Sequence, residues 1–261
     1  MRNRNAISKA AAALVALVVT ITIGACSGTP HQPSITLTFI RHAESEANAA
    51  HVINTDIPGP SLTEQGEAQA EQLAHQLSRN HFDSIYVSEM VRTQQTAAPL
   101  AHALGKQIEP PLKGLDEIDA GWYNNTPTRP SVDCLPNPTA TGADSKAKIP
   151  SCTYLLAPAE WLNGDVKDAV PGSISGVEFN NDFTNAVQKI YDDAKRSGKT
   201  NPVAFSHAEA IMYWTLMNVK NPKDSLATTH PLPNLGRVVV TGSPSMGWTL
   251  LDWDGIRDFS Y

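Results

Sequence analysis

The sequence has few cysteines, no excess of basic residues and no apolar run long enough to cross a bilayer. It contains 20 Lys and Arg against 26 Asp and Glu, for a formal net charge of −6 over 261 residues. Because nucleic-acid-binding proteins carry a basic face, we exclude nucleic acid as a partner. No histidine lies between His102 and His207, the part of the chain that contains Cys134 and Cys152, so the sequence predicts no metal site.

The first 25 residues are predicted to be a targeting segment. Three positive charges precede an uncharged run of 16 residues, 10–25, which is shorter than the roughly 20 residues that span a bilayer. Ile23-Gly24-Ala25-Cys26 resembles a bacterial lipobox, so we expect residues 1–25 to be a lipoprotein signal peptide and Cys26 to be lipidated. A retained anchor or a conventionally cleaved signal is the alternative. The expected location is the extracytoplasmic face of the cell membrane.

Cleavage before Cys26 would leave 236 residues with a formal net charge of −9. That length suits one α/β domain with a well-buried core. We expect a linker over residues 26–34 and a single domain over residues 35–261.

A proline-rich insertion is predicted at about residues 124–176, where seven prolines interrupt any regular pattern. Cys134 and Cys152 lie inside it, and in an exported protein this pair is expected to form a disulfide. We expect Trp161 or its neighbours, which lie inside this insertion, to shape access to the site that is predicted below.

Elsewhere the sequence alternates short apolar strands with amphipathic helices. Strands are predicted at residues 35–40, 83–88, 202–206, 237–241 and 248–253, and helices from residue 62, at 90–104, at about 178–196 and at 209–219. The order β, α, β, α indicates a three-layer α/β/α sandwich with a mostly parallel central sheet.

Arginine and histidine side chains follow the predicted strands. Arg41 and His42 come directly after the first strand, Arg92 follows the second, and His207 follows the third. In open α/β sheets, ligands bind at the carboxyl ends of the strands. Arginine matches phosphate oxygens bidentately, and a neutral imidazole is a competent nucleophile at phosphorus. Each residue alone is typical of a solvated loop or a surface ion pair, but together they predict a phosphate pocket.

Five segments in this order resemble the histidine phosphatase superfamily, also called phosphoglycerate-mutase-like. TFIRHAESEAN resembles its strand followed by the R-H-G signature, and SLTEQGEAQAEQLA its L-T-x-x-G-xx-QA helix. IYVSEMVRTQQTA, LDEIDAGWY and VAFSHAEAI are similar to the segments that supply the second arginine, the acid and the second histidine. The resemblance covers residues 35–123 and 178 to about 253.

The resemblance implies the fold of that family and a role for each matching residue. His42 would be the phosphorylated nucleophile, and Glu117 the proton donor and then the base. The implied phosphate ligands are Arg41, Asn48, Arg92 and His207.

Two residues depart from the family pattern, since Ala43 and Ala208 stand where glycine follows each histidine. Alanine is tolerable at both positions if the backbone φ there is negative. Glu209 lies two residues past His207, not adjacent as in the acid-phosphatase branch, so Glu117 is the preferred acid.

We therefore expect an exported, membrane-anchored phosphatase that hydrolyses small phosphomonoesters through a phosphohistidine, with no metal and no cofactor. A phosphoglycerate mutase-like phosphotransferase is one alternative, and a lipoprotein that binds a phosphate ligand without turnover is the other. The substrate and the oligomeric state stay open.

Overall fold

A five-stranded sheet lies at the centre of the computed structural model, which describes residues 33–128 and 154–259. The strands are β1 (Ile35–Arg41), β2 (Ser84–Val87), β3 (Pro202–Ser206), β4 (Arg237–Ser243) and β5 (Gly247–Trp253). Their order is β2-β3-β1-β4-β5. β1, β2 and β3 are parallel, whereas β4 is antiparallel to both of its neighbours. The predicted mostly parallel central sheet is confirmed, with a mixed edge.

Helices cover the sheet. They are α1 (Glu46–Ala49), α2 (Glu64–Leu77), α3 (Val91–Leu104), α4 (Leu156–Leu162), α5 (Gly176–Ser197), α6 (Ala208–Asn218) and α7 (Leu226–Thr229). Short 3₁₀ turns lie at Lys113–Leu115 and Gly121–Tyr123. Each predicted helix is present, with its bounds shifted by one or two residues.

Side-chain alternation along the strands produces two hydrophobic cores. Phe39 of β1 packs with residues of α5 and α6, whereas the next residue, Ile40, packs with residues of α2 and α3. Successive side chains of a strand point to opposite faces. The two helix pairs therefore cover opposite faces of the sheet, which is the predicted three-layer arrangement.

The longest of the described helices, α5, has a typical capping residue at each end. The Ser175 side chain caps the amide of Glu178, and the Glu178 side chain returns to the amide of Ser175. At the other end, Gly198 adopts a left-handed φ of 67°. The apolar side chains along one face of α5 are buried, as its amphipathic pattern predicts. Each fully buried Val, Ile or Phe side chain contributes roughly 1.5–3 kcal/mol to the stability of the fold.

The glycine in the LTEQG segment permits a close contact between α2 and the loop after β1. A Cβ on Gly66 would lie 2.0 Å from the carbonyl oxygen of Glu44. Thr63 caps the amide of Gly66 at 2.9 Å and donates its hydroxyl to Glu44 Oε1 at 2.8 Å. Any larger residue at position 66 would therefore push α2 away from the site.

The region predicted as a proline-rich insertion contains a helix, α4, despite Pro158. Pro158 is the third residue of this helix, where its missing amide hydrogen would have no partner in the helix. Trp161 is 2% exposed, stacks on Phe179 and donates to the Asp168 carbonyl oxygen. It is a core residue, so the expectation that it shapes substrate access is wrong for Trp161 itself.

Several predictions concern residues outside the described ranges. These are the signal peptide at 1–25, the lipidated Cys26, most of the linker, and the Cys134–Cys152 disulfide. Within the described residues, none of the helices is long and apolar enough to cross a membrane.

Candidate active site

Parallel pairing of β1 with β3 brings the two histidines together at the carboxyl end of the sheet. Arg41 is in register with Ser206, and the amide of His42 donates to the Ser206 carbonyl oxygen at 3.0 Å. The rings of His42 and His207 have their centroids 5.1 Å apart. The structure therefore brings His42 and His207 together at the strand ends, as expected from the sequence.

The hydrogen bonds of His42 fix the tautomer of its ring. Nδ1 lies 2.6 Å from the carbonyl oxygen of Ala43, which can only accept, so Nδ1 carries the hydrogen. Nε2 accepts from Nε of Arg92 at 3.2 Å. Burial, together with Arg92 and Arg41, lowers the pKa of His42 well below 6.5. The ring is therefore neutral, with the Nε2 lone pair free of a proton.

Both arginines are held at the site by backbone carbonyl groups. Arg41 donates from Nη1 to Leu232 O at 2.7 Å, and Arg92 from Nη2 to Asn54 O at 3.3 Å. Burial lowers the pKa of Arg92 to about 10, and also lowers the pKa of Arg41, whereas Glu117 raises both. Both guanidinium groups thus remain charged at neutral pH.

His207 lies fully buried at the start of α6. Its Nε2 is 2.9 Å from Ser88 Oγ, and the amide of Met90 donates to the same hydroxyl oxygen at 3.1 Å. Burial, with Arg92, His42 and Arg41, lowers the pKa of His207 well below 6.5. Ser88, the residue after β2, therefore orients the second histidine.

Three predicted phosphate ligands each have a buried nitrogen with no hydrogen-bond partner among the described residues. These atoms are Nε of Arg41, Nη1 of Arg92 and Nδ1 of His207. Buried polar atoms in native proteins are almost always paired, so each exception needs an explanation. Two of the three are guanidinium donors, and an anion with several oxygens is the ligand that would satisfy such a group.

Glu117 is held by backbone amides. Ile118 and Ala210 donate to Oε1 at 3.0 and 2.9 Å, and Glu209 donates its amide to Oε2 at 3.4 Å. Burial raises the pKa of Glu117, whereas the Ile118 and Ala210 amides and both arginines lower it. Burial therefore favours the protonated carboxyl group, whereas the amide donors stabilise its anion. A group that acts first as an acid and then as a base needs both states to be accessible.

A cavity of about 280 Å³ lies beside these groups, and all of the predicted catalytic and phosphate-binding residues except His207 line it. Arg41, His42, Asn48, Arg92 and Glu117 line it, together with Glu209 and Tyr154. In a capping box, Oδ1 of Asn48 accepts from the Ser45 amide at 3.2 Å, and it also accepts from Asn234 Nδ2 at 3.1 Å. The side-chain nitrogen is therefore the group that Asn48 can offer a ligand.

One wall of the cavity is a ribbon formed by residues 51–56 and 119–128, which we call the rim ribbon. Backbone hydrogen bonds join Ile53 to Thr126 and Asn125. Asn124 accepts from the Thr55 amide at 2.8 Å and donates to Asp56 at 2.6 Å. Since Asn54 of this ribbon accepts from Arg92, the wall of the cavity also positions a predicted phosphate ligand.

The two alanines that replace glycine fit the backbone without strain. Neither Ala43 nor Ala208 is among the residues with positive φ. Ala43 is fully buried and packs with Leu62 and Ala70, and its amide donates to Thr96 Oγ1 at 3.0 Å. The condition for an intact site is thus met at both positions.

Some residues that shape the site were not predicted from the sequence. Asn234 donates to the carbonyl oxygen of His42 at 3.0 Å as well as to Asn48, and Asn54 supports Arg92 through its backbone. Both lie in loops without periodicity, so no sequence pattern pointed to them. Among the described residues there is no cluster of His, Cys, Asp and Glu that could hold a metal ion.

The described residues form a three-layer α/β fold with a site that contains two histidines and two arginines. Residues 37–150 match the family model of the histidine phosphatase superfamily (branch 1). This segment of the chain belongs to that superfamily.

The described fold is similar to solved structures of phosphatases. A mycobacterial glucosyl-3-phosphoglycerate phosphatase superposes with a TM-score of 0.62 at 18% identity, covering 86% of this chain and 100% of that one. A phosphoserine phosphatase mutant from Entamoeba histolytica, in complex with phosphoserine, gives a TM-score of 0.59 at 20% identity, covering 84% and 96%. At these identities the likeness concerns the fold.

Two curated relatives are similar in sequence. The PE-PGRS family protein PE_PGRS11 of Mycobacterium tuberculosis (strain ATCC 25618 / H37Rv) is 41% identical over 234 residues, which is 85% of this chain and 37% of that protein. Phosphoserine phosphatase 1 of Hydrogenobacter thermophilus (strain DSM 6534 / IAM 12695 / TK-6) is 38% identical over 90 residues, which is 34% of this chain and 42% of that protein. The chain therefore spans about two fifths of the length of these relatives.

Proposed function

We propose that this protein hydrolyses small phosphomonoesters through a phosphohistidine intermediate on His42. The observation that supports this most directly is the set of unpaired buried nitrogens of Arg41, Arg92 and His207. They surround a histidine whose Nε2 is unprotonated. A phosphoryl group bound there would offer its oxygens to the donors and its phosphorus to the nucleophile.

The first half-reaction would transfer the phosphoryl group to the protein. His42 Nε2 attacks phosphorus, an N–P bond forms, and the bond between phosphorus and the leaving oxygen breaks. Glu117 gives its proton to that oxygen, so the product departs as an alcohol. Arg41 and Arg92 offset the negative charge on the phosphoryl oxygens during the transfer.

The second half-reaction would hydrolyse the phosphohistidine. Glu117, now a carboxylate, takes a proton from water, whose oxygen attacks phosphorus. The N–P bond breaks, inorganic phosphate leaves, and Nε2 regains its lone pair. The three backbone amides on Glu117 stabilise its anion between the two steps.

His207 would assist as a cation once the anion is bound. Burial and the neighbouring positive groups lower its pKa in the free protein. A dianionic phosphoryl group would offset both arginine charges and favour the imidazolium, whose Nδ1–H then donates to a phosphoryl oxygen.

Phosphatase activity is favoured over the two alternatives by particular features. A protein that merely bound phosphate would need neither an unprotonated nucleophile nor an acid on the cavity wall, and both are present. The lipoprotein signal predicted from the sequence would place the chain outside the cytoplasm, away from the glycolytic substrate of a mutase. We include that export and the lipid anchor at Cys26 in the proposal.

Relatives bind small phosphorylated ligands such as phosphoserine and 3-phosphoglyceric acid.

The proposal is tested by turnover and by trapping the intermediate. Purified protein is assayed with an aryl phosphate and with sugar phosphates, nucleotides, phospholipid head groups and phosphopeptides, with and without chelator. Acid-stable and alkali-stable phosphoprotein are compared after rapid quenching, since phosphohistidine survives alkali. We expect chelator-insensitive turnover and an alkali-stable phosphoprotein that chases to inorganic phosphate. Stoichiometric labelling without release, or activity restored by a divalent metal, would contradict the proposal.

A further inference from the structure

The cavity distributes its charges unevenly. Among the described residues that line it, Arg41 and Arg92 carry the cationic side chains, whereas Glu117 and Glu209 carry carboxyl groups. A phosphomonoester dianion brings two negative charges, which the two guanidinium groups offset. A further anionic group on the same molecule would find no cation among these lining residues.

Glu209 lies beside Glu117 in the cavity wall. Its backbone amide is 3.4 Å from Oε2 of Glu117, the acid that we place at the leaving oxygen. Both side chains line the same cavity. Burial and the neighbouring Glu117 raise the pKa of Glu209 to about 8, and Arg41 opposes this shift. The chemical steps proposed above make no use of the Glu209 side chain.

The rest of the described cavity wall is uncharged. Val52, Ile53, Leu155 and Leu232 supply apolar surface, and Thr55 and Tyr154 supply hydroxyl groups. These groups can contact carbon chains and hydroxyls of a leaving group. They give a carboxylate or a second phosphate no positive partner.

We propose that Glu209 makes the site selective for phosphomonoesters whose leaving group is neutral or carries an amine, and against leaving groups that carry a carboxylate or a second phosphate. Once Glu209 is ionised, a hydroxyl or an ammonium group can donate to its carboxylate, whereas an anion is repelled by it. This inference rests on the proposed phosphatase function and names its substrate class.

Discrimination can be measured with two esters that differ at one carbon. Glycerol 3-phosphate carries a hydroxymethyl group where 3-phosphoglycerate carries a carboxylate. Assays are run at about pH 9, because Glu209 is then ionised above its pKa of about 8. Two like charges a few ångströms apart in a partly buried site repel strongly enough to lower kcat/KM by about tenfold or more.

We expect wild-type kcat/KM to favour glycerol 3-phosphate by about tenfold or more, and the ratio to fall several-fold in Glu209→Gln. The matched control is Glu46→Gln, which removes a carboxylate from an exposed position on α1 outside the cavity and should leave the ratio unchanged. A ratio near one in the wild type, or one that Glu209→Gln does not change, would overturn the inference.

Binding without turnover separates this inference from the proposed function. Dissociation constants of the same two esters are measured by calorimetry for His42→Ala and for the His42→Ala, Glu209→Gln double variant. If the wild-type protein hydrolyses neither ester but the constants keep the preference, the proposed function fails and the charge selection stands. Equal constants for the two esters would refute the charge selection.

Discussion

Nε of Arg92 donates to Nε2 of His42 at 3.2 Å, so one guanidinium group both contacts the proposed nucleophile and lines the cavity. Its Nη2 is fixed by Asn54 O, and its Nη1 has no partner in the part of the chain that the structure describes. Because Nε2 has one lone pair, this hydrogen bond must break when Nε2 attacks phosphorus, and the same fork can then donate to the phosphoryl oxygens.

Arg92→Lys should therefore lower kcat/KM by about 10²–10³-fold, because one ammonium cannot replace a planar fork that contacts several partners at once. Steady-state kinetics with an aryl phosphate measure the loss. Lys113→Arg, at an exposed position outside the cavity, is a control for exchanging these two cations. Near-normal kcat/KM in Arg92→Lys would show that the fork geometry is unimportant.

His42→Ala should abolish turnover and phosphoprotein formation, because it removes the only atom placed for attack in the proposed mechanism. His81→Ala, at an exposed position, controls for loss of an imidazole. Circular dichroism and thermal unfolding check that the fold persists. Substantial residual turnover in a folded His42→Ala protein would sink the assignment of the nucleophile.

Glu117→Gln should slow alkyl phosphates far more than aryl phosphates, since a phenolate departs with little help from a proton donor. The general-acid contribution is typically about 10²–10⁴-fold, so the difference between the two substrates should be of that order. Comparable losses on both substrates would mean that Glu117 is not the acid, and Glu209 would be the next residue to test.

Asp116 provides a test of pH-dependent stability. Its Oδ1 accepts from the Glu89 amide at 2.8 Å, but burial raises its pKa from 3.8 to about 7. The folded state thus binds the proton more tightly than the unfolded state, and stability falls as the pH rises from about 4 to 7. Asp116→Asn should remove this loss.

Urea unfolding at about pH 5 and pH 8 measures the effect of Asp116→Asn. From pH 5 to pH 8 the free energy of unfolding of the wild type should fall by about 1–2 kcal/mol more than that of Asp116→Asn. This figure allows for the partial exposure of Asp116. Asp165→Asn, an exposed change, is the control and should show no such trend. A pH trend in Asp116→Asn that matches the wild type would contradict this explanation.

The Cys134–Cys152 disulfide stays a prediction, since both residues lie outside the described ranges. A bridge between them would close a loop for which chain entropy gives about 3 kcal/mol of stabilisation. Alkylation of the exported protein before and after reduction, followed by intact mass measurement, decides whether it exists. Two alkylated thiols in the unreduced protein would refute it. If the bridge is present, Cys134→Ser should change the preference among bulky esters more than turnover of a small aryl phosphate.

The central sheet and the main helices could be predicted because each has a periodic apolar pattern, and the residues that follow strands meet at one edge. His42 and His207 were found in this way. Asn234 and Asn54 could not be, because they act through loops whose path is set by the completed fold. The prolines of residues 124–176 predicted no regular element there, yet Pro158 lies in a helix. Proline breaks a helix in its interior but is accepted in its first turn.

The Asn54 carbonyl that holds Arg92 belongs to the rim ribbon, whose two segments are tied by Asn124 and Asp56. A substrate group that contacts this ribbon, several bonds from phosphorus, would thereby act on the guanidinium that we propose to stabilise the reacting oxygens. Contacts made far from the scissile bond can then be expressed as a faster chemical step and not as tighter binding alone. Shortening such a substrate would cost kcat, even though the phosphoryl group being transferred is the same.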